Sequence, residues 1–126
     1  MLRTDLLAEP VVWSLMRERF PWVEEERGDI GEGLVHLEFA ALRRGVERAA
    51  DSADCAGAIS ILSFVEELLA DSKRLHPDVI NAIEVSFVED LFLGEVPQAA
   101  FIEPLLPPLV RVVWTTIADA HEKRSG

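Results

Sequence analysis

Apolar residues recur three and four apart along nearly the whole chain, and prolines and glycines cut that pattern into segments short enough to fold back on one another. Between Glu9 and Phe20, Pro10 suits a first helical turn, and Val11, Val12, Leu15 and Met16 fall at helix-face spacing before Pro21. Trp22 to Glu32, with three consecutive glutamates and then Gly28 and Gly31, reads as a short helical turn followed by a loop. A longer helix is predicted from about Leu34 to Ala50, burying Leu34, Val35, Phe39, Leu42 and Val46 and turning His36, Arg43, Arg44, Glu47 and Arg48 outward. Another is predicted from about Ala53 to Asp71, with Asp51 or Ser52 as N-cap and Ala58, Ile61, Leu62, Phe64, Val65, Leu68 and Leu69 facing inward. Pro77 suits the first position of a fourth helix, Asp78 its first turn and Gly94 its stop. The body of that helix, Val79 to Leu93, is apolar over most of its circumference, which predicts the central helix of a bundle.

Pro97, Pro104, Pro107 and Pro108 break the remaining chain into a short turn around Gln98 to Ile102 and a final helix beginning near Pro108, with Val110, Val113, Trp114 and Ile117 on one face. Leu109 to Ile117 is rich in β-branched residues, yet no second strand candidate exists to pair with it. The expected fold class is therefore all-α: one compact bundle of about five to six helices spanning residues 1–126, with antiparallel neighbours joined by short loops.

The chain of 126 residues is 49% hydrophobic, enough for a real core, and carries 23 acidic against 12 basic residues for a formal net charge of -11. Such a surface repels phosphate backbones and anionic lipid, which argues against nucleic-acid or membrane partners. The acidity is uneven: residues 51–110 hold eleven acids and two bases, and so account for -9 of the -11. A single cysteine, Cys55, cannot form an intrachain disulfide. Arg3, Asp5 and Glu9 interrupt what would be the apolar stretch of a signal peptide, so a cytoplasmic protein is expected.

Catalytic constellations are not evident. None of His36, His76 and His121 has an acid three residues before it, and Glu32, four before His36, is separated from it by Gly33, so no metal site or cofactor is expected. Cys55 lies beside Asp51 and Asp54, acids that work against thiolate chemistry; Ser60, Ser63 and Ser86 lie inside predicted helices and not on an exposed elbow. The stretch Gly28 to Gly33 lacks the lysine of a phosphate loop and carries Asp29 and Glu32. At about 100° per residue, Glu38 projects between Leu34 and Leu42, and Glu84 between Val88 and Leu91. Buried carboxylates need partners. One reading is a general acid/base pair; the plainer one is a rim position, or a salt bridge or cap with Arg43, Arg44 or Arg111.

The stretch Val85-Ser86-Phe87-Val88-Glu89-Asp90-Leu91, with Asn81 leading into it, resembles a family of small, uncharacterised bacterial helical proteins whose central helix carries V-S-F-x-E-x-L. Phe64 to Leu69 and Arg19-Phe20-Pro21-Trp22 are similar to the same family. The resemblance implies a compact all-α domain, some of whose relatives are immunity-like proteins of toxin systems. The function expected is a non-enzymatic protein-binding module, immunity- or antitoxin-like, that covers a basic partner with an acidic surface made of Glu66, Glu67, Asp71, Glu89, Asp90 and Glu95. The alternative is a small helical enzyme or ligand-binding domain with an interhelical pocket involving Glu38 and Glu84. A homo-oligomer, the third reading, would show as an exposed apolar patch around Trp13, Trp22 or Trp114.

Overall fold

Proline and a few polar side chains decide where each helix begins. The computed structural model describes residues 7–28 and 34–125, with backbone alone for 124 and 125, and within them the chain forms seven helices. These are α1 (Glu9–Arg19), α2 (Val23–Arg27), α3 (Val35–Asp51), α4 (Cys55–Ala70), α5 (Pro77–Ala82, continuing through Ile83–Glu89 and Asp90–Phe92), α6 (Val96–Ile102) and α7 (Pro108–Ser125), with a 3-10 turn at Glu103–Leu105. The all-α class is as expected. The count exceeds five or six because Val23–Arg27 and Val96–Ile102, read from the sequence as turns, each close as helices.

Prolines occupy the first turns of α1, α5 and α6, where a missing N–H costs nothing. Helix α4 starts later than its sequence suggests. Its cap is Asp54, not Asp51 or Ser52: the carboxylate accepts from the Gly57 N–H at 2.9 Å, and Ala53 turns the corner with φ 55°. His76 caps α5 through Nδ1, which accepts from the Asp78 N–H at 3.0 Å. Leu7 forms an isolated parallel bridge with Leu75, tying the segment before α1 to the α4–α5 loop. The predicted loop through Gly33 lies largely outside the described residues, as do Glu32 and the N-terminal acids and bases before Leu7.

Helix α3 is the hub of the bundle. It packs against α1, α2, α4, α5 and α6, whereas α7 packs on α4 and α5. Phe39, Ala41, Leu42 and Val46 of α3 meet Met16, Leu62, Ile83, Phe87 and Ile102 in the fully buried core. The apolar helix α5, expected at the centre, instead lies between α3 and α7. Two other faces differ from expectation: α1 buries only Val12 and Met16 and leaves Val11 and Leu15 exposed, and Leu34 is half-buried.

One irregularity has consequences for the surface. From Ile83 to Glu89, α5 is π-helical, its turns widened so that hydrogen bonds span five residues. Helix α3 holds this segment from the side. The Arg43 guanidinium reaches the Ser86 carbonyl at 3.4 Å, and His36 Nδ1 lies 2.6 Å from Ser86 Oγ.

The close approach of α2 and α3 depends on Gly45. A Cβ built there would lie 2.1 Å from the Trp22 ring, on whose face the Arg48 guanidinium sits 5.0 Å from the centroid. Gly45→Ala should therefore destabilise the fold by about 1–3 kcal/mol, as overpacking does, despite the better helix propensity of alanine. Urea unfolding followed by tryptophan fluorescence measures this. A stabilised Gly45→Ala variant with unchanged emission would show that Trp22 is not held against α3.

Candidate functional site

Glu38 is the one fully buried carboxylate among the described residues, 1% exposed. Its place follows from the spacing of α3, since it falls in line with Val35, Leu42 and Gly45, all buried. The partner is Arg27 at the end of α2, whose Nη1 donates to Glu38 Oε2 at 3.2 Å; Arg43, Arg44 and Arg111, the partners expected from sequence, are engaged elsewhere. Burial, with a hydrogen bond to the Glu9 carboxyl and the charge of Glu9, pushes the Glu38 carboxyl up to about 8, against the opposing pull of Arg27. Near neutral pH it therefore holds a proton, donating to Glu9 while accepting from Arg27. Arg27 also lies over the Trp13 ring, 4.8 Å from its centroid.

Glu84 does not share this site. It is exposed, on the wall of a groove between α5 and α7. Glu38 and Glu84 thus do not converge on one pocket, and the geometry gives no support to an acid/base pair made of them.

The six carboxylates expected to form one acidic surface are dispersed, and five of them have partners within the chain. Glu66 caps α7, its carboxylate accepting from the Leu109 and Val110 N–H groups at 3.0 Å. Glu67 pairs with Arg19 at 2.8 Å, Asp71 with Arg74 at 2.8 Å, and Asp90 with Arg43 at 2.7 Å. Glu89 lies 3.1 Å from His121 Nε2, and Glu95 is exposed at the start of α6. Glu66 and Glu89 therefore touch α7 at Leu109 and His121, twelve residues or about 18 Å apart along the helix.

The arginines are drawn into the fold in the same way. Arg17 pairs with Glu24, Arg44 and Arg48 both grip Glu26, and Arg111 donates to the Glu103 and Leu106 carbonyls. Every arginine whose side chain is described has such a partner, so the surplus charge that faces solvent is acidic. Neither do the tryptophans form an exposed apolar patch. Arg17 and Arg27 lie over Trp13, Arg48 lies over Trp22, and Trp114 is buried edge-on against Phe92, with centroids 5.4 Å apart.

Sequence reasoning missed the pairing of His36 with Ser86, because residues fifty apart meet only through the packing of α3 on α5. Asn81 Nδ2 lies 3.4 Å from His36 Nε2, completing a Ser-His-Asn contact. Ser86 is nevertheless buried within a continuous helix, and it lines none of three surface grooves among the described residues. One groove, of about 340 Å³, runs between α1 and α4 beside Leu15, Phe64, Glu67 and Asp71. Another, of about 330 Å³, lies beside Trp22 and Gly57, and the third lies between α5 and α7. Among the described residues no group of three or more His, Cys, Asp or Glu side chains is arranged to hold a metal ion, and no helix is long and apolar enough to cross a membrane.

Fold and site together define an all-helical domain whose described arginines are paired internally and whose acids reach the surface. The chain belongs to the family described as a domain of unknown function (DUF7674), whose model matches residues 13–122. Comparison with curated proteins and with solved structures gave no match.

Two of these side chains lend themselves to direct tests. Because the folded-state pKa of Glu38 is raised, its contribution to stability is complete below about pH 4.5 and is lost as pH rises through about 8. Glutamine keeps both hydrogen bonds without titrating, so the stability of Glu38→Gln relative to wild type should rise between pH 5 and 9. Parallel urea titrations over that range measure the difference, and a flat difference would mean that Glu38 titrates normally. Glu66→Ala should cost about 1 kcal/mol, the usual loss for a helix cap, and speed amide hydrogen exchange at Leu109 and Val110. Unchanged exchange there would deny Glu66 its capping role.

Proposed function

We propose that this protein is a non-enzymatic protein-binding module of the bacterial cytoplasm, of immunity or antitoxin type, that presents an acidic helical surface to a basic protein partner. The observation that supports this reading is the internal pairing of the arginines, which leaves a chain of net charge -11 facing solvent mainly with carboxylates. Such a field steers a basic partner into encounter and repels acidic ones, and it needs no catalytic side chain. Of the carboxylates expected to make contact, Glu67, Asp71, Asp90 and Glu95 remain open to solvent on one side even where they hold an arginine. Glu66 and Glu89 serve chiefly to hold α7.

Immobilised protein exposed to a lysate of its native host should retain a strongly basic protein. That complex should weaken as salt shortens the Debye length from about 10 Å to about 3 Å. Reversing Glu67, Asp71 and Glu95 together to lysine should slow association by roughly tenfold and leave dissociation little changed, as is usual for steering charges. A partner whose association ignores both salt and the triple reversal would overturn the electrostatic reading.

A further inference from the structure

The groove between α5 and α7 combines three features found together nowhere else among the described residues. Its α5 wall, Glu84, Val85 and Glu89, is drawn entirely from the π-helical segment; its α7 wall is the stripe Val112, Val113, Thr116 and Ile117. On an α-helix, residues five apart point about 140° away from each other. Widening the turns so that hydrogen bonds span five residues brings Glu84 and Glu89 to the same face. The irregular segment thereby supplies the groove with two carboxylates, and π-turns of this kind recur at functional sites.

Apolar side chains lie open between those acids. Val112 is 61% exposed and Val85 42% exposed, beside a groove volume of about 380 Å³. No lysine or arginine lines the groove. Arg111, the nearest arginine in sequence, turns its guanidinium to the Glu103 and Leu106 carbonyls. Glu89 holds His121, whereas Glu84 makes no ion pair with any described residue.

We infer that this groove is where the basic partner docks, by means of an amphipathic helical segment that lays an apolar face on Val85, Val112 and Ile117 and sets lysine or arginine against Glu84 and Glu89. The inference rests on the acidic-module reading and deepens it. Charge complementarity selects the occupant: a neutral helix would leave Glu84 desolvated without a partner, and an acidic one would be repelled by Glu84 and Glu89. The mode is helix-in-groove recognition, in which apolar anchors supply affinity and flanking charge supplies specificity.

The probe is a fluorescein-labelled peptide of about 18 residues, five helical turns, with leucine on one face and lysine on the other. Titration followed by anisotropy gives affinity, and methyl NMR of the full chain gives the place. The peptide should shift the methyl resonances of Val85, Val112, Val113 and Ile117. Val112→Lys and Glu84→Lys should each weaken it by roughly tenfold, the effect of losing one good anchor. Glu25→Lys, an equal charge change on α2, should leave affinity within about twofold once salt is matched.

Different failures point to different causes. If the lysine peptide binds with steep salt dependence but shifts Leu15 and Leu68 in the α1–α4 groove, the docking assignment falls and the acidic-module reading stands. If no salt-dependent binding occurs, both fall. If a peptide with glutamate in place of lysine shifts the same four residues as strongly, the groove stands but its basic occupant is wrong. If light scattering shows a dimer that Val112→Lys dissociates, a second copy of the chain covers the groove and the proposal is overturned.

Discussion

Helix α3 is packed on several sides at once, and the structure depends on how that helix disposes of its polar residues. A helix in such a position must bury, pair or deflect every polar side chain it carries, because an unpaired buried charge costs several kcal/mol. These solutions join α3 to two of its neighbours, α2 and α5. Glu38 meets Arg27 of α2, Arg44 meets Glu26 of α2, Arg43 meets Asp90 of α5, and His36 meets Ser86 of α5. The apolar contacts of Phe39, Leu42 and Val46 supply the drive to associate. The polar ones, each with a particular geometry, set which helix lies where.

The helices themselves were legible in the sequence because their signals are local. Pro77 and Gly94 mark the limits of α5 in the sequence, and the apolar spacing of α4 matches its buried face from Ala58 to Leu68. Less legible was the order of importance between helices. Mean apolarity favours α5 as the centre, but what places a helix at the hub is how many sides of it can approach a neighbour closely, and Gly45 with small Ala41 and Ala49 gives that advantage to α3. Such small residues read as gaps in an apolar pattern, not as its strongest part.

Glu84 shows where a fixed period fails. A constant 100° per residue puts it in line with Val88 and Leu91, both of which are buried, yet Glu84 is exposed. The wider π-turns between Ile83 and Glu89 change the angle accumulated along the helix, so the register read before the segment does not carry through it. The buried set Ala82, Ile83, Ser86, Phe87, Val88 and Leu91 is broader than one α-helical stripe. In the sequence that breadth looked like a helix apolar all round. Glu38 is the opposite case: its helix is regular, its inward direction was legible, and only its partner was not, since Arg27 stands on another helix and no local rule specifies that the two meet.

Charge counted along the chain differs from charge on the folded surface for a similar reason. Residues 51–110 carry eleven acids and only Lys73 and Arg74 as bases, which suggests a continuous acidic face. Folding brings cations to that segment from elsewhere: Arg19 of α1 reaches Glu67, and Arg43 of α3 reaches Asp90. The basic side chains of the first fifty residues thus neutralise part of the acidic middle across helix contacts. What remains is a smaller and more specific set of carboxylates than the sequence count implies. Glu84 belongs to it because the π-turns direct it away from α3, out of reach of the arginines that serve the rest of α5. An internal pair such as Asp90 with Arg43 must be separated before its carboxylate can serve a partner, whereas Glu84 needs no such separation. A carboxylate without an ion pair among the described residues, beside exposed valines, is therefore the better starting point for recognition than the internally paired carboxylates of α4.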